Sequence, residues 1–228
     1  MSSTALDTSR AVLVASLLRG REQRLAAPTH KLALVLEGIF MQQMYTIAAA
    51  VSQVETTPQE GDDALLARLL AAVTAALATR DSIDRQRLRD AYEPSLFVAL
   101  RTLERRFGVH ITLEDIDAAR WSDWRSLLAA ESVNQTTVER LGKPLSAAVA
   151  RTRDRLALTG ATVVALGASL GERAAFIASV EALCAYGFAD LAGAALFDAA
   201  GIAMLKEWHH TDGCPCVPCN LKDRKSVV

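Results

Sequence analysis

The chain has 228 residues, 51% hydrophobic and 22% charged, a balance that suits a folded globular protein and excludes a disordered one. Its 25 Lys and Arg nearly cancel its 26 Asp and Glu, and a net charge of -1 argues against a dedicated nucleic-acid protein while leaving room for a local basic face. With 12 Gly and 6 Pro, low-complexity and collagen-like readings fall away, and 5% aromatics means a core built from Ala, Leu, Val and Ile.

Met1-Ser2-Ser3-Thr4-Ala5-Leu6-Asp7 lacks the basic start and long apolar run of a signal peptide. Thr8 or Ser9 is placed to cap a first helix that runs to about Ala26. That segment is apolar early and basic late (Arg19, Arg21, Arg24), which suits the helix dipole. Ala27-Pro28-Thr29 is expected to break it, with Thr29 capping a second helix over 30–54. There Leu32, Leu36, Ile39, Phe40, Tyr45, Ile47 and Val51 keep helical spacing.

A polar connection, Glu55–Asp63, holds Pro58 and Gly61. Asp62 or Asp63 is expected to cap a helix over 64–79 that turns Leu65, Leu66, Leu69, Leu70, Val73 and Leu77 inward. The alternating charges of Asp81–Asp90 read as a solvated helical face. Pro94 is expected to restart a helix that Gly108 ends as a C-cap. Val109-His110-Ile111-Thr112 has β character but is very short, and Asp115-Ile116-Asp117 and a Trp121/Trp124 pair follow.

From Ser132 the pattern is helical, with an interruption or kink expected at Gly142-Lys143-Pro144. Thr159–Ser169 is apolar and punctuated by Gly160 and Gly167. A long helix is expected from about Leu170 through Ala199, closed by Gly201, and Ile202–Trp208 reads as a strand or an extended exit. His209–Val228 is a Cys/Pro/Lys tail. The fold class is therefore mainly α: an elongated multi-helix protein with a short Cys/His-containing C-terminal hook. It is read as an N-terminal helical region, 1–108, and a second helical region, 109–228, that carries the tail.

Two windows are apolar enough to ask about a membrane. Leu32–Val51 is broken by Glu37, Gln42 and Gln43, and Ala182–Leu205 carries Asp190 and Asp198. A carboxylate at bilayer depth costs about 2.5–3.5 kcal/mol on insertion scales, so both read better as buried helices than as spans.

Three of the four cysteines crowd into Cys214–Cys219, and Cys184 stands alone in an apolar helical stretch, which is not the spread of a secreted disulfide framework. The tail brings Cys214, Cys216 and Cys219 together with His209 and His210. Cys216-x-x-Cys219 has zinc-knuckle spacing, because two intervening residues let both thiolates reach one tetrahedral ion. Cys214 and His210 (or His209) would complete the ligand set. Structural zinc sites usually draw their second pair of ligands from a distant segment, and here every candidate is local. The alternatives are a short loop of free thiols and a redox Cys-x-x-Cys, although the βαβ context of a thioredoxin-like domain is missing.

Elsewhere the signatures of enzymes are absent: no Gly-x-Ser-x-Gly elbow, no Walker loop, no His-Glu-x-x-His. Gly167-Ala168-Ser169-Leu170-Gly171 reads as a helix start with Ser169 capping. Glu114, Asp115 and Asp117 read as first-turn helix charges, and His30 at a helix start and His110 in a turn read as ordinary residues. The chain is read as a non-enzyme with no evident small-molecule substrate. Two basic clusters, Arg101/Arg105/Arg106 and Arg151/Arg153/Arg155, are tempered by Glu104 and Asp154 and read better as solvated faces than as phosphate sites. Trp121 and Trp124 sit three apart on one helix face, as core packing or as an anchor for a partner.

Asn134-Gln135-Thr136-Thr137-Val138-Glu139-Arg140-Leu141, then Arg173-Ala174-Ala175-Phe176-Ile177-Ala178-Ser179-Val180-Glu181-Ala182, then Phe188-Ala189-Asp190 through Ala199-Ala200-Gly201-Ile202, and finally Lys206-Glu207-Trp208, Asp212 and Cys216-Val217-Pro218-Cys219-Asn220 follow one another in order. This succession, over about residues 130–220, resembles the phage head-morphogenesis family, minor head proteins of the phage Mu F type. A weaker likeness reaches back over Leu96–Leu128. Ser179-Val180 stands where the family pattern has Arg-Thr, and Cys214 lies outside the pattern. The family continues past the cysteine pair into β-structure, so a C-terminal subdomain that is short or missing is expected here.

The resemblance implies a structural role: a minor capsid protein of a tailed bacteriophage or prophage, bound to portal or major capsid protein. It would assist head assembly, DNA packaging or DNA delivery. It implies a place in the virion, in the capsid interior or near the portal, after assembly in the host cytoplasm, with local contact to packaged DNA. The alternatives from other classes are a small helical zinc-binding adaptor and a redox or thiol protein that uses the C-terminal cysteines.

Overall fold

A computed structural model describes residues 3–201 of the chain, with side chains from Arg19 onward. Six helices make up the described fold: α1 (Ser3–Ser52), α2 (Asp62–Ala78), α3 (Asp81–Phe107), α4 (Ala118–Val149), α5 (Arg155–Gly167) and α6 (Leu170–Ala199). No strand occurs among the described residues, and Val109–Thr112 is irregular. The protein is mainly α.

Two expected breaks do not occur, and the helix runs without interruption through Gly142-Lys143-Pro144. Pro28, Pro94 and Pro144 all lie inside helices, within α1, α3 and α4. A helix-interior proline removes one backbone hydrogen bond and crowds the preceding turn, at a cost of about 3 kcal/mol. Burial on both sides offsets it. Leu25 and Leu32 flank Pro28, Tyr92 and Leu96 flank Pro94, and Leu141 and Leu145 flank Pro144, all of them buried. Pro144 therefore sits one residue from a core position, and Pro28 is itself buried. Ending the helix there would expose the apolar side chains beyond it.

Other local expectations are refined. Gly61, not Asp62 or Asp63, occupies the N-cap of α2, and both aspartates fall in the first turn, where their charge suits the helix dipole. Thr29 is interior to α1 and caps nothing. Gly108 ends α3 at φ 70, in the left-handed region that favours glycine, and its N–H donates to Glu104 O at 2.7 Å. Asp154 caps α5 by accepting from the Ala157 N–H at 3.0 Å. Asp84 is buried, so the 81–90 stretch is not a wholly solvated face.

The chain divides into two compact units, Met1–Gly193 and Ala194–Val228. In the first, one core joins Ile47 and Val51 of α1, Leu65, Leu69, Val73 and Leu77 of α2, Leu141, Leu145 and Val149 of α4, and Leu158 of α5. Residues from both sides of Gly108 contribute to it. α6 turns Ala174, Ala178, Ala182, Ala185 and Ala189 inward, all fully buried. A face of methyl groups lets neighbouring helices approach closely, which compensates for the scarcity of large aromatic side chains.

Of the second unit the described part is Ala194–Gly201. It carries the end of α6, where the Ala200 N–H donates to Leu196 O and Phe197 O, both at 3.1 Å, and Gly201 stops the helix at φ 82.

Candidate functional site

The tail residues read from the sequence as metal ligands, Cys214, Cys216, Cys219 and His210 (with His209 as the alternative), lie outside the described residues. So does the Ile202–Trp208 segment. Among the described residues, no group of three or more His, Cys, Asp or Glu side chains is arranged to hold a metal ion.

The chemistry of the described fold is concentrated along α6 and is made of buried polar groups. Glu181, buried on an otherwise apolar turn, accepts from Arg125 of α4 through Nη2 at 2.7 Å and Nε at 2.8 Å, and from the Tyr92 hydroxyl of α3 at 2.9 Å. Neither Arg125 nor Tyr92 drew notice in the sequence. The available signal was Glu181 itself, because a carboxylate amid Ala and Leu on a core helix needs a cation or donors to be buried. Desolvation, then the Glu181 charge, pushes the Tyr92 phenol far up. The hydrogen bond to Glu181 raises Arg125 above its ordinary value. Burial pushes the Cys184 thiol, one turn along α6, up as well.

Two turns nearer the helix start, Arg173 donates to Thr137 Oγ1 at 3.0 Å, Thr136 Oγ1 at 2.5 Å and Val133 O at 2.8 Å. Its guanidinium lies 4.4 Å from the centre of the Phe40 ring. Burial, and then the neighbouring Arg140, lowers its pKa to about 10, which still leaves it charged at neutral pH. Arg140 donates to Ser169 Oγ at 2.8 Å. Ser169 stands just before α6 as expected, its backbone carbonyl accepting from the Arg173 N–H at 3.0 Å. The space enclosed by Phe40, Gln43, Thr137, Arg140, Ser169 and Arg173 is about 20 Å³, room for a water and no more.

A third buried cluster ties α1 to α3 and α4. Gln43 Nε2 donates to Asp84 at 3.1 Å and to Asn134 Oδ1 at 3.0 Å, and Asp84 also accepts from Arg80 at 3.1 Å. All three clusters cross between helices. Each fixes the register of apolar faces that would otherwise slide.

The remaining candidates separate. Trp121 stacks on Phe188 with ring centres 4.9 Å apart and meets Tyr92 edge-on at 5.4 Å, whereas Trp124 is exposed. The pair thus divides the two roles: one packs, the other faces outward. Arg153 reaches across to Asp62, to Glu60 O at 3.3 Å and to Val149 O at 2.7 Å, so it fastens α4 to the start of α2. Arg151 turns back onto Ala147 O. Arg101 and Arg105 border an open groove of about 720 Å³ between α3 and the following loop, with Glu93, Glu104, His110 and Glu114 on the same walls. His110 contacts Glu104 and is exposed. Asp115 accepts from the Thr112 N–H and hydroxyl, both at 2.8 Å, and these bonds lower its pKa. It is a turn-former. His30 is exposed on α1.

Two helical segments, Arg19–Ser52 and Leu170–Ala199, are long and apolar enough by length and composition to cross a membrane. In this fold both carry residues of the buried polar clusters, Gln43 in the first and Arg173 and Glu181 in the second.

Comparison of the chain with family models, with curated proteins and with solved structures gives no significant match in any of the three.

Proposed function

We propose that this chain is a structural protein of a tailed-phage or prophage head, a minor capsid protein held by portal or major capsid protein, and that it does not catalyse a reaction. The observation that carries the reading is the ordered succession of segments between about residues 130 and 220 that resembles the phage Mu F-type minor head proteins. The packing supports it. Thr136 and Thr137 of the first segment receive Arg173 of the second, and Glu181, the glutamate of that second segment, is consumed by Arg125 and Tyr92. The polar residues of the resemblance hold helices together, as in a protein whose product is an assembly. Assistance in head assembly, DNA packaging or delivery follows from that place, with local contact to packaged DNA and no membrane span. The chain would reside in the virion after assembly in the host cytoplasm.

The tail supports a second reading, a small helical adaptor built on a zinc knuckle of Cys214, Cys216, Cys219 and His210. A thiol enzyme using the same cysteines is the third. Co-expression with the portal and capsid proteins of the same gene cluster tests the first. The chain is expected to co-purify with a portal ring or procapsid. A chain that ignores both counts against the proposal, and turnover lost with Cys216→Ser or Cys219→Ser would favour the thiol enzyme.

A further inference from the structure

α6 has a second face. Opposite its buried alanines, Phe176, Val180, Leu183 and Leu191 are 70%, 40%, 41% and 45% exposed. Their spacing, with Gly187 between the last two, follows the 4-3-4-4 pattern of a stripe along one side of a helix. The stripe has a flank on α4. Trp121 on Phe188 and Arg125 on Glu181 fix α4 antiparallel to α6, which brings Trp124 (55% exposed) to the level of Cys184 and Leu128 (37% exposed) to that of Val180.

We infer that this α6/α4 face is the contact between two copies of the chain, paired antiparallel about a two-fold axis that passes between Leu183 and Cys184. Three observations select a second copy. The first is register. About that axis Phe176 of one copy meets Leu191 of the other, Leu183 meets Cys184, and Val180 meets Gly187, where a Cβ would find nothing within 4 Å in the free chain. A large side chain thus faces a smaller one at each step, as an isologous interface requires. The second is charge. From Phe176 to Leu191 the carboxylates are Glu181, buried and bridged to Arg125, and Asp190, which in this register stands about 20 Å along the helix from its copy, so like charges do not meet.

The third is area. Taking about 150–250 Å² for a large apolar side chain, the six residues leave roughly 500 Å² open on one copy, at the upper end for a monomer's largest patch. Two such faces bury roughly 1,000 Å², the threshold for a specific interface, so the pairing is expected to be reversible and concentration-dependent. The inference does not rest on the head-protein reading. A monomeric chain found in virions would remove the pairing and leave that reading standing.

Sedimentation velocity on the full chain over about two decades of concentration tests it. A monomer–dimer equilibrium is expected. Leu183→Arg and Phe176→Arg should each weaken it at least about tenfold, with the helical circular-dichroism signal unchanged, because both positions are exposed in the monomer. Leu156→Arg, on an exposed apolar residue of α5 outside the face, should leave the dimer intact. The inference is overturned by a chain that is monomeric throughout, or by association that Leu183→Arg leaves unchanged or Leu156→Arg reduces equally. It is also overturned if the chain floats with zwitterionic lipid vesicles and loses that binding with Leu183→Arg, which would make the face a membrane surface.

Discussion

Arg125 and Glu181, 56 residues apart in the chain, are joined by a two-point bridge of 2.7 and 2.8 Å that ties α4 to α6. Glu181 is almost fully enclosed and the Arg125 side chain is 23% exposed. Removing one partner leaves an ion in a poorly solvated place, which costs more than the bridge is worth as a pair. Arg125→Met and Glu181→Leu are each expected to lower the stability of the fold by about 3 kcal/mol. The double variant Arg125→Met/Glu181→Leu should recover most of the loss, short of about 1 kcal/mol for the orphaned Tyr92 hydroxyl. Urea unfolding of the four proteins checks the cycle; additive losses in the double variant would contradict it.

Tyr92 gives the fold an alkaline weakness. Its phenol is pushed up by burial and then by the Glu181 carboxylate, so its pKa in the folded state lies above its unfolded value of about 10. The stability linked to a raised pKa is fully present below the unfolded value and is lost as pH rises above it toward the folded one. Cys184, also raised by burial, has the same sign and starts at lower pH. Unfolding midpoints are expected to fall between about pH 9 and pH 11 in the parent protein, and to fall less in Tyr92→Phe once its constant loss of one hydrogen bond is subtracted. An equal fall in both proteins would remove Tyr92 from this role.

Gly193 continues the alanine face of α6 where the space runs out. A Cβ there would stand 2.4 Å from Leu103 Cδ1 and 3.5 Å from Ile111 Cδ1. Alanine is the better helix former by about 1 kcal/mol, but displacing a buried leucine costs about 1–3 kcal/mol. Gly193→Ala should therefore destabilise by roughly 1 kcal/mol, while Gly142→Ala on α4, where a Cβ meets nothing within 4 Å, should stabilise by about 0.5–1 kcal/mol. Thermal unfolding of the two variants distinguishes their signs.

The cysteines of the tail make a chemical prediction of their own. If Cys214, Cys216, Cys219 and His210 share a tetrahedral ion, protein purified without added metal should contain zinc at one per chain, and Cys216→Ser or Cys219→Ser should abolish it. Metal analysis by mass spectrometry gives the ratio directly, and a ratio near zero would return the tail to a loop of free thiols.

Helical periodicity made the main elements legible. The long helix expected over Leu170–Ala199 has those bounds, Gly201 follows it in the left-handed region, and Gly108 ends α3 as read. Local rules misplaced the breaks. Pro28, Pro94 and Pro144 carry a breaking signal that competes with burial of leucines and a tyrosine on either side, and burial depends on partners far along the chain. The candidate polar residues followed the same division. Arg173 and Glu181 entered the reading only as members of a segment of the family resemblance, and their partners Thr136, Thr137, Arg125 and Tyr92 are 37, 36, 56 and 89 residues away. Trp121 and Trp124 were legible as a pair on one helix, and only the packing of Phe188 against Trp121 separates the packed ring from the exposed one.

The chain is proposed to be a component of a phage head. Mass spectrometry of purified particles, released from a culture that carries this gene with its neighbours, tests it most directly. Peptides of this chain are expected in the particles at a low copy number relative to the major capsid protein, retained through a density gradient. Particles that contain portal and capsid proteins without this chain, while the chain remains in the lysate supernatant, would contradict it.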